Sequence, residues 1–204
     1  MNRHVKTLVF VIMLGAITSG TLLGMDYWTA DYIAANEEYQ VRSAVLDAYG
    51  ISYTPGNVHD VYEERVEEIV IESNGVFYTF YVDREHGNVS FGFEGGGVWG
   101  PITGMLSLED DWVTIRQVRV LSQSETPGLG GVVAERDYLA QYVGVVFDEE
   151  NGINVTHSPE GDDSEVDAIT GGTRTSNAFQ TILNDTYFDY KDVWETYMNE
   201  GDAS

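Results

Sequence analysis

The chain of 204 residues reads as an α+β protein: an antiparallel-rich sheet with packed helices, preceded by one N-terminal transmembrane helix. Three observations lead there. Arg3, His4 and Lys6 are followed by Thr7–Met25, a run without a single charge. Between Ile69 and Ser122, short stretches rich in Val, Ile, Phe and Tyr alternate with glycine-marked and acidic turns, the pattern of successive antiparallel strands. Apolar residues then return at helical spacing in the last third of the chain. Strands grouped together, with helices before and after them, are the order expected of an α+β domain.

The uncharged run is about as long as a helix needs to cross a bilayer. Two readings are open for it, a retained anchor and a cleaved signal peptide. Ala16-Ile17-Thr18 and Ser19-Gly20 offer small residues for cleavage, but apolar Leu22-Leu23 follow them, and the length favours the anchor. Basic residues stand before the run and acidic ones after it, from Asp26. The positive-inside rule therefore puts the N-terminus in the cytoplasm and the bulk of the chain outside. The expected layout is a single-pass anchor over residues 1–26 in the inner or plasma membrane, a connecting helix and loop over 27–57, and an extracytoplasmic domain over 58–204.

Within 27–57, Tyr32, Ala35, Tyr39, Arg42, Leu46 and Tyr49 recur near helical spacing, and Gly50 is a natural stop. Pro55-Gly56 marks a loop. Val58–Ile69 suggests a short helix passing into a strand at Ile69–Glu72. Asn74-Gly75 is a hairpin signal, and strands are expected at Val76–Val82, Val89–Glu94, Ile102–Leu108 and Trp112–Ser122. Gly95-Gly96-Gly97 breaks the pattern after Val89–Glu94. Val132–Tyr142 has helical spacing, Val143–Phe147 and Ile153–Val155 suit short strands, and Ser158–Asp163 is an acidic loop. Two helices are expected at the end, over about 175–185 and 189–199.

Formal net charge is −24, with 34 acidic residues against ten basic ones. Such a surface repels phosphate backbones, so the chain is not expected to bind nucleic acid. There is no cysteine, which excludes disulfides, thiolate metal sites and a lipid-modified cysteine. The four histidines, His4, His59, His86 and His157, have no ligand-like spacing, so no metal site is expected. Neither a P-loop nor a nucleophile-elbow serine occurs. Asn88, Asn154 and Asn184 head sequons that we read as chance matches.

Three glycine-marked stretches remain. In Gly95–Gly104, Trp99 lies between glycines, either against a planar ligand or in the core beside a bulge. Glu125-Thr-Pro-Gly-Leu-Gly-Gly131 stands between a strand and a helix-like segment; it is either a plain connection or a set of amides facing a polar ligand edge. Thr170-Gly-Gly-Thr-Arg-Thr175, continued by Ser176-Asn177, opens a helix. It is either an ordinary capped turn or a phosphate site, because the first turn of a helix carries unpaired N–H groups.

Together the three resemble one family. Glu125-Thr-Pro-Gly-Leu-Gly130 is similar to the central motif of the covalent FMN-binding domain family of respiratory flavoprotein subunits. Thr170–Thr175 resembles that family's flavinylation motif, Ser/Thr-Gly-Ala-Thr-x-Thr. Gly97-Val-Trp-Gly-Pro-Ile-Thr-Gly104 resembles a stretch found in the C subunit of sodium-translocating NADH:quinone reductases. The G subunit of the related Rnf complex, a ferredoxin:NAD oxidoreductase, usually lacks that tryptophan. Both relatives have one N-terminal membrane helix and an outward-facing domain.

The resemblance implies a redox subunit that is not catalytic alone, an electron carrier in a sodium-translocating NADH:quinone oxidoreductase. The alternatives are an Rnf G subunit, or an anchored binding domain without flavin. It implies FMN joined through a phosphoester to Thr175, attached by an FAD-dependent flavin transferase that reads Asp167, Gly171 and Thr173. It also implies other membrane subunits as partners. Ser176 continues the motif, Gly172 stands where the family has alanine, and Arg174 fills the variable position. Trp99 and Leu129 are expected to help form the slot for the ring, amides around Thr126–Gly131 to meet its polar edge, and Glu125, Thr126 and Gly130 to be among the residues that bind the cofactor. The electron chemistry would belong to the cofactor.

Overall fold

The computed structural model describes residues 3–201, and the outermost residues of the predicted 1–26 and 58–204 segments lie outside it. The chain divides into two compact units, Met1–Gln40 and Val41–Ser204. The first helix, α1, runs unbroken over Arg3–Ala48, so the expected membrane span and connecting helix are one element. In the first unit its apolar side chains are exposed, Leu22 and Leu23 at 69% each. This helix is long and apolar enough to cross a membrane.

The second unit is α+β. After α2 (Val58–Arg65) come five strands: β1 (Val66–Ser73), β2 (Val76–Asp83), β3 (Val89–Gly96), β4 (Pro101–Leu108) and β5 (Ile115–Ser122). They form one antiparallel sheet in sequence order. Asn74 and Gly75 both take positive φ, 53° and 80°, as a two-residue hairpin turn requires. A short helix α3 (Arg136–Leu139), a parallel pair β6 (Asn154–Thr156) and β7 (Glu165–Asp167), and the long helix α4 (Thr173–Gly201) complete the fold.

Alternation places Val89, Phe91 and Phe93 of β3 in the core. Against this face lies α4. Tyr190 stacks on Phe91 at 4.3 Å between centroids and meets Phe80 edge-on at 5.0 Å. On the other side, the last turns of α1 are buried from Ser43 to Leu46. Tyr49 donates to the carbonyl of Tyr81, and Arg116 binds the carbonyl of Ala48 and the carboxylate of Glu109. The sheet is thus covered on both faces, and residues 41–49 are part of its packing.

Several local expectations are corrected. Strand β3 continues through Gly95 and Gly96, which pair with Ile102 and Pro101. Gly95 serves packing there: a Cβ at this position would overlap Ile182 of α4. Strand β5 starts at Ile115, not Trp112, because the Asp111 carboxylate takes the amides of Val113 and Thr114 and turns the backbone out of the ladder. Residues 132–142 are not one helix. Two 3-10 turns, Gly130–Ala134 and Ala140–Tyr142, flank α3, with Glu135 extended between them; adjacent Gly130-Gly131 and β-branched Val132-Val133 disfavour a regular helix. Val146 makes only an isolated bridge to Thr114, β6 lies one residue later than expected, and β7 has no counterpart in the sequence pattern. The two terminal helices are one, since Tyr187, Tyr190, Val193 and Trp194 continue the packed stripe of Phe179, Ile182 and Leu183.

Candidate functional site

The site is built where three connections meet. The first is the tight loop between β3 and β4, closed by a bond from the Gly97 amide to the Gly100 carbonyl at 2.8 Å. The second follows β5, where Gly128 takes φ +74° and the Thr126 carbonyl accepts from the amides of Leu129 and Gly131. The third is the turn into α4, where Gly171 takes φ +77°, a conformation that favours glycine. The Gly172 amide binds the Ile169 carbonyl there.

These connections line one cavity of about 270 Å³, formed by Val98, Trp99, Glu125, Thr126, Leu129, Gly130, Gly171, Gly172, Thr173, Arg174 and Thr175. Every predicted site residue except Ser176 is on that wall. Ser176 lies fully buried behind it. Its hydroxyl accepts from the Ile169 amide at 3.0 Å and donates to the Gly172 carbonyl at 3.2 Å, so it fastens the turn. Two loop amides expected to face outward, those of Leu129 and Gly131, point inward to Thr126. Trp99 is on the rim, 73% exposed, and Leu129 is half-exposed. Asp167 is exposed on β7, where its amide binds Gln141.

At the centre, Thr175 Oγ1 donates to Glu125 Oε2 at 2.7 Å. Both residues are buried, Thr175 at 3% and Glu125 at 5% exposure. The other carboxylate oxygen, Oε1, accepts from the amides of Val98 at 2.7 Å and Trp99 at 3.0 Å. Burial pushes the Glu125 carboxyl up, but the bonds from Thr175, Trp99 and Val98 outweigh it and hold the group below its ordinary value. On the side of Gly97 and Gly130 the pair is tightly packed: a Cβ at Gly130 would overlap Thr175 Oγ1 and Glu125 Oε2, and one at Gly97 would meet Glu125 Oε1 at 2.6 Å.

Helix α4 starts at Thr173, two residues before Thr175. Its first intrahelical bond runs from the Ser176 amide to the Gly172 carbonyl. The amides of Thr173, Arg174 and Thr175 thus precede any i−4 acceptor within the helix, the arrangement that receives phosphate oxygens. Arg174 adds a cationic side chain to the wall. His157 bonds through Nε2 to the Thr173 hydroxyl at 2.9 Å. Sequence spacing singled out neither His157 nor the Val98 amide, because both reach the site only through the fold.

A buried hydroxyl beside free helix amides and an arginine, under an aromatic rim, fits a flavin nucleotide held at its phosphate end. The model of the FMN-binding domain family matches residues 97–187, the stretch that contains all three connections. Over this stretch the chain is similar to that family. Its cofactor is FMN.

Relatives of this FMN-binding domain include the C subunit of the Na(+)-translocating NADH-quinone reductase of Vibrio vulnificus, 31% identical over 164 residues and covering 76% of this chain. That of Yersinia pestis is 27% identical over 175 residues and covers 82%. The chain spans 62% of the length of the former and 60% of the latter. The fold is that of the crystal structure of Shewanella oneidensis NqrC, with a TM-score of 0.68 at 21% identity, over 83% of this chain and 100% of that one. The C subunit of the Na(+)-translocating NADH-quinone reductase from Parabacteroides distasonis superposes with a TM-score of 0.67, also at 21% identity, over 79% of this chain and 95% of that one.

Proposed function

We propose that this chain is an electron-transfer subunit with covalently held FMN in a membrane-bound, Na+-translocating NADH:quinone oxidoreductase. The observation that carries the reading is the placement of Thr175: a hydroxyl in the first turn of α4, on the wall of a cavity shared with Glu125, Leu129 and Trp99. FMN joined to Thr175 through its phosphate is a diester with one negative charge, which the first amides of α4 and Arg174 balance. The bond keeps the cofactor from being diluted away outside the cell. When bound, the flavin supplies the electron chemistry; this chain's residues hold it and exclude water from the linkage.

The attachment is made by an FAD-dependent transferase that reads Asp167, Gly171 and Thr173. Residues 1–26 anchor the chain with the N-terminus in the cytoplasm, residues 27–57 connect, and 58–204 is the extracytoplasmic flavin domain. Supporting the anchor, the apolar run is followed by exposed Tyr27, Trp28 and Tyr32, the residue types enriched where a helix leaves the bilayer. Ion movement belongs to the partner membrane subunits, since a lone helix forms no pathway.

The test is co-expression of the full chain with the transferase, followed by a denaturing gel under ultraviolet light. A fluorescent band is expected for the native chain and none for Thr175→Ala. A native chain without a band, or a Thr175→Ala chain with one, would sink the assignment. Co-purified subunits then identify the complex.

A further inference from the structure

The Glu125 carboxylate has a use that loop anchoring does not explain. The two amides of Val98 and Trp99 both bind Oε1 and tie the loop to the carboxylate. Oε2 is left for a single partner, the Thr175 hydroxyl. A carboxylate only accepts, so the hydroxyl proton lies on the line between the two oxygens. A threonine hydroxyl is a weak nucleophile, and an adjacent base within hydrogen-bond reach is the usual means of activating one.

The geometry points to Glu125 as the general base of this chain's own modification, the residue that takes the Thr175 proton while the flavin is attached. The inference rests on the covalent reading above. In the step, Thr175 Oγ1 forms a bond to the phosphorus on the FMN side of FAD. The phosphoanhydride bond to the AMP half breaks, and its electron pair leaves on the AMP phosphate. The hydroxyl proton passes to Glu125 Oε2. Nothing is oxidised or reduced.

The same transfer resolves a charge conflict. Once esterified, Oγ1 has no proton to donate, and a negative diester stands beside the Glu125 carboxylate. Two like charges at that spacing, in a site with both residues buried, repel strongly. A proton left on Glu125 removes the repulsion and turns the carboxyl into a donor toward the diester. The nucleophile therefore supplies the proton that makes its own product tolerable.

The test uses the full native chain, purified without flavin, with FAD and purified transferase. Attachment is followed over time by intact mass and by in-gel fluorescence, at several concentrations of the acceptor chain. Glu125→Gln retains an Oε1 to accept from Val98 and Trp99 but has no base. It is expected to slow the maximal rate by about a hundredfold or more, with the KM for the chain unchanged. Glu125→Asp retains the carboxylate and is expected to recover part of that rate. Circular dichroism and the thermal midpoint of the unmodified variants report folding independently. Glu125→Gln labelled at the native rate would overturn the proposal, as would Gln and Asp variants slowed equally. A loss confined to KM would also overturn it, by assigning Glu125 to transferase recognition. Should Glu125→Gln not fold, the ratio of maximal rates between Glu125→Asp and the native chain decides: a fall as deep as that expected for Gln overturns the proposal, and a partial one supports it. Failure of the native chain to label is a different outcome, which removes the covalent reading itself.

Discussion

Ile169 lies against Gly172, so closely that a Cβ at residue 172 would come within 2.8 Å of Ile169 Cγ2 and 3.0 Å of its Cβ. The family motif has alanine at this position. Ile169 is buried, and its crowding atoms are close to the backbone, where a side chain cannot swing aside. The glycine here is therefore matched to its neighbour. Gly172→Ala is expected to destabilise the domain by about 1–3 kcal/mol, the usual cost of overpacking. Adding Ile169→Leu, which removes the Cγ2 branch, should recover part of the loss. Chemical denaturation of the two single variants and the double variant measures this coupling, and strict additivity would refute it.

The Glu125 carboxyl sets a pH dependence whose sign is determined. Its folded-state value lies below the ordinary 4.5. Its contribution to stability is thus fully present above pH 4.5 and is lost as pH falls through the lowered folded value. The difference in thermal midpoint between the native chain and Glu125→Gln should be constant near neutrality and narrow in acid. Asp111, Asp148 and Asp162 are also held low, but they titrate in both proteins and cancel in the comparison. A gap that widens in acid would contradict this account.

Asn184 clamps the 151–153 turn to α4. Its Oδ1 accepts from the Ile153 amide at 2.9 Å, and its Nδ2 donates to the carbonyls of Ile153 at 2.9 Å and Asn151 at 3.2 Å. Gly152, at φ +71°, would overlap the Asn184 amide if it carried a Cβ. Asn184→Ala is expected to cost about 1–3 kcal/mol through unpaired backbone groups, read as a lowered midpoint in urea. The sequon at Asn184 is thereby explained as coincidence, since this side chain is committed to the fold.

Thr175→Ser retains the hydroxyl and its bond to Glu125, so labelling by the transferase should persist within about tenfold of the native rate, a change below that of losing the base. Thr175→Val removes the hydroxyl at nearly constant shape and should abolish the fluorescent band while leaving the fold intact by circular dichroism. A labelled Thr175→Val chain would move the linkage to another residue.

Much of the architecture is legible along the chain. The hairpin at Asn74-Gly75, the alternation of Val89, Phe91 and Phe93, and the helical stripe from Phe179 to Leu183 depend on near neighbours and on burial period, which a sequence displays directly. The departures share a cause. The Asp111 side chain diverts Trp112–Thr114 from the ladder, residues 130–142 fragment around paired glycines and valines, and β6 pairs with β7 in parallel across distant segments. Each outcome is decided by competition between local propensity and contacts that the chain order does not reveal.

The same division holds at the site. Family resemblance of the three glycine-marked motifs names Trp99, Glu125, Leu129, Gly130, Gly171, Gly172, Thr173 and Thr175, because a motif is a local property of the chain. Which way Glu125 points is not local. Its carboxylate reaches across fifty residues to Thr175 and across nearly thirty to Val98 and Trp99, and only the packing of β3, β5 and α4 brings those three groups to one point. The loop amides of Leu129 and Gly131, which the motif presents as ligand donors, turn inward to Thr126 because an unpaired N–H in a tight turn is satisfied by the nearest carbonyl. The motifs along the sequence are sufficient to name residues that line this cavity; their hydrogen-bond directions, and hence the carboxylate beside the Thr175 hydroxyl, exist only once the chain has folded.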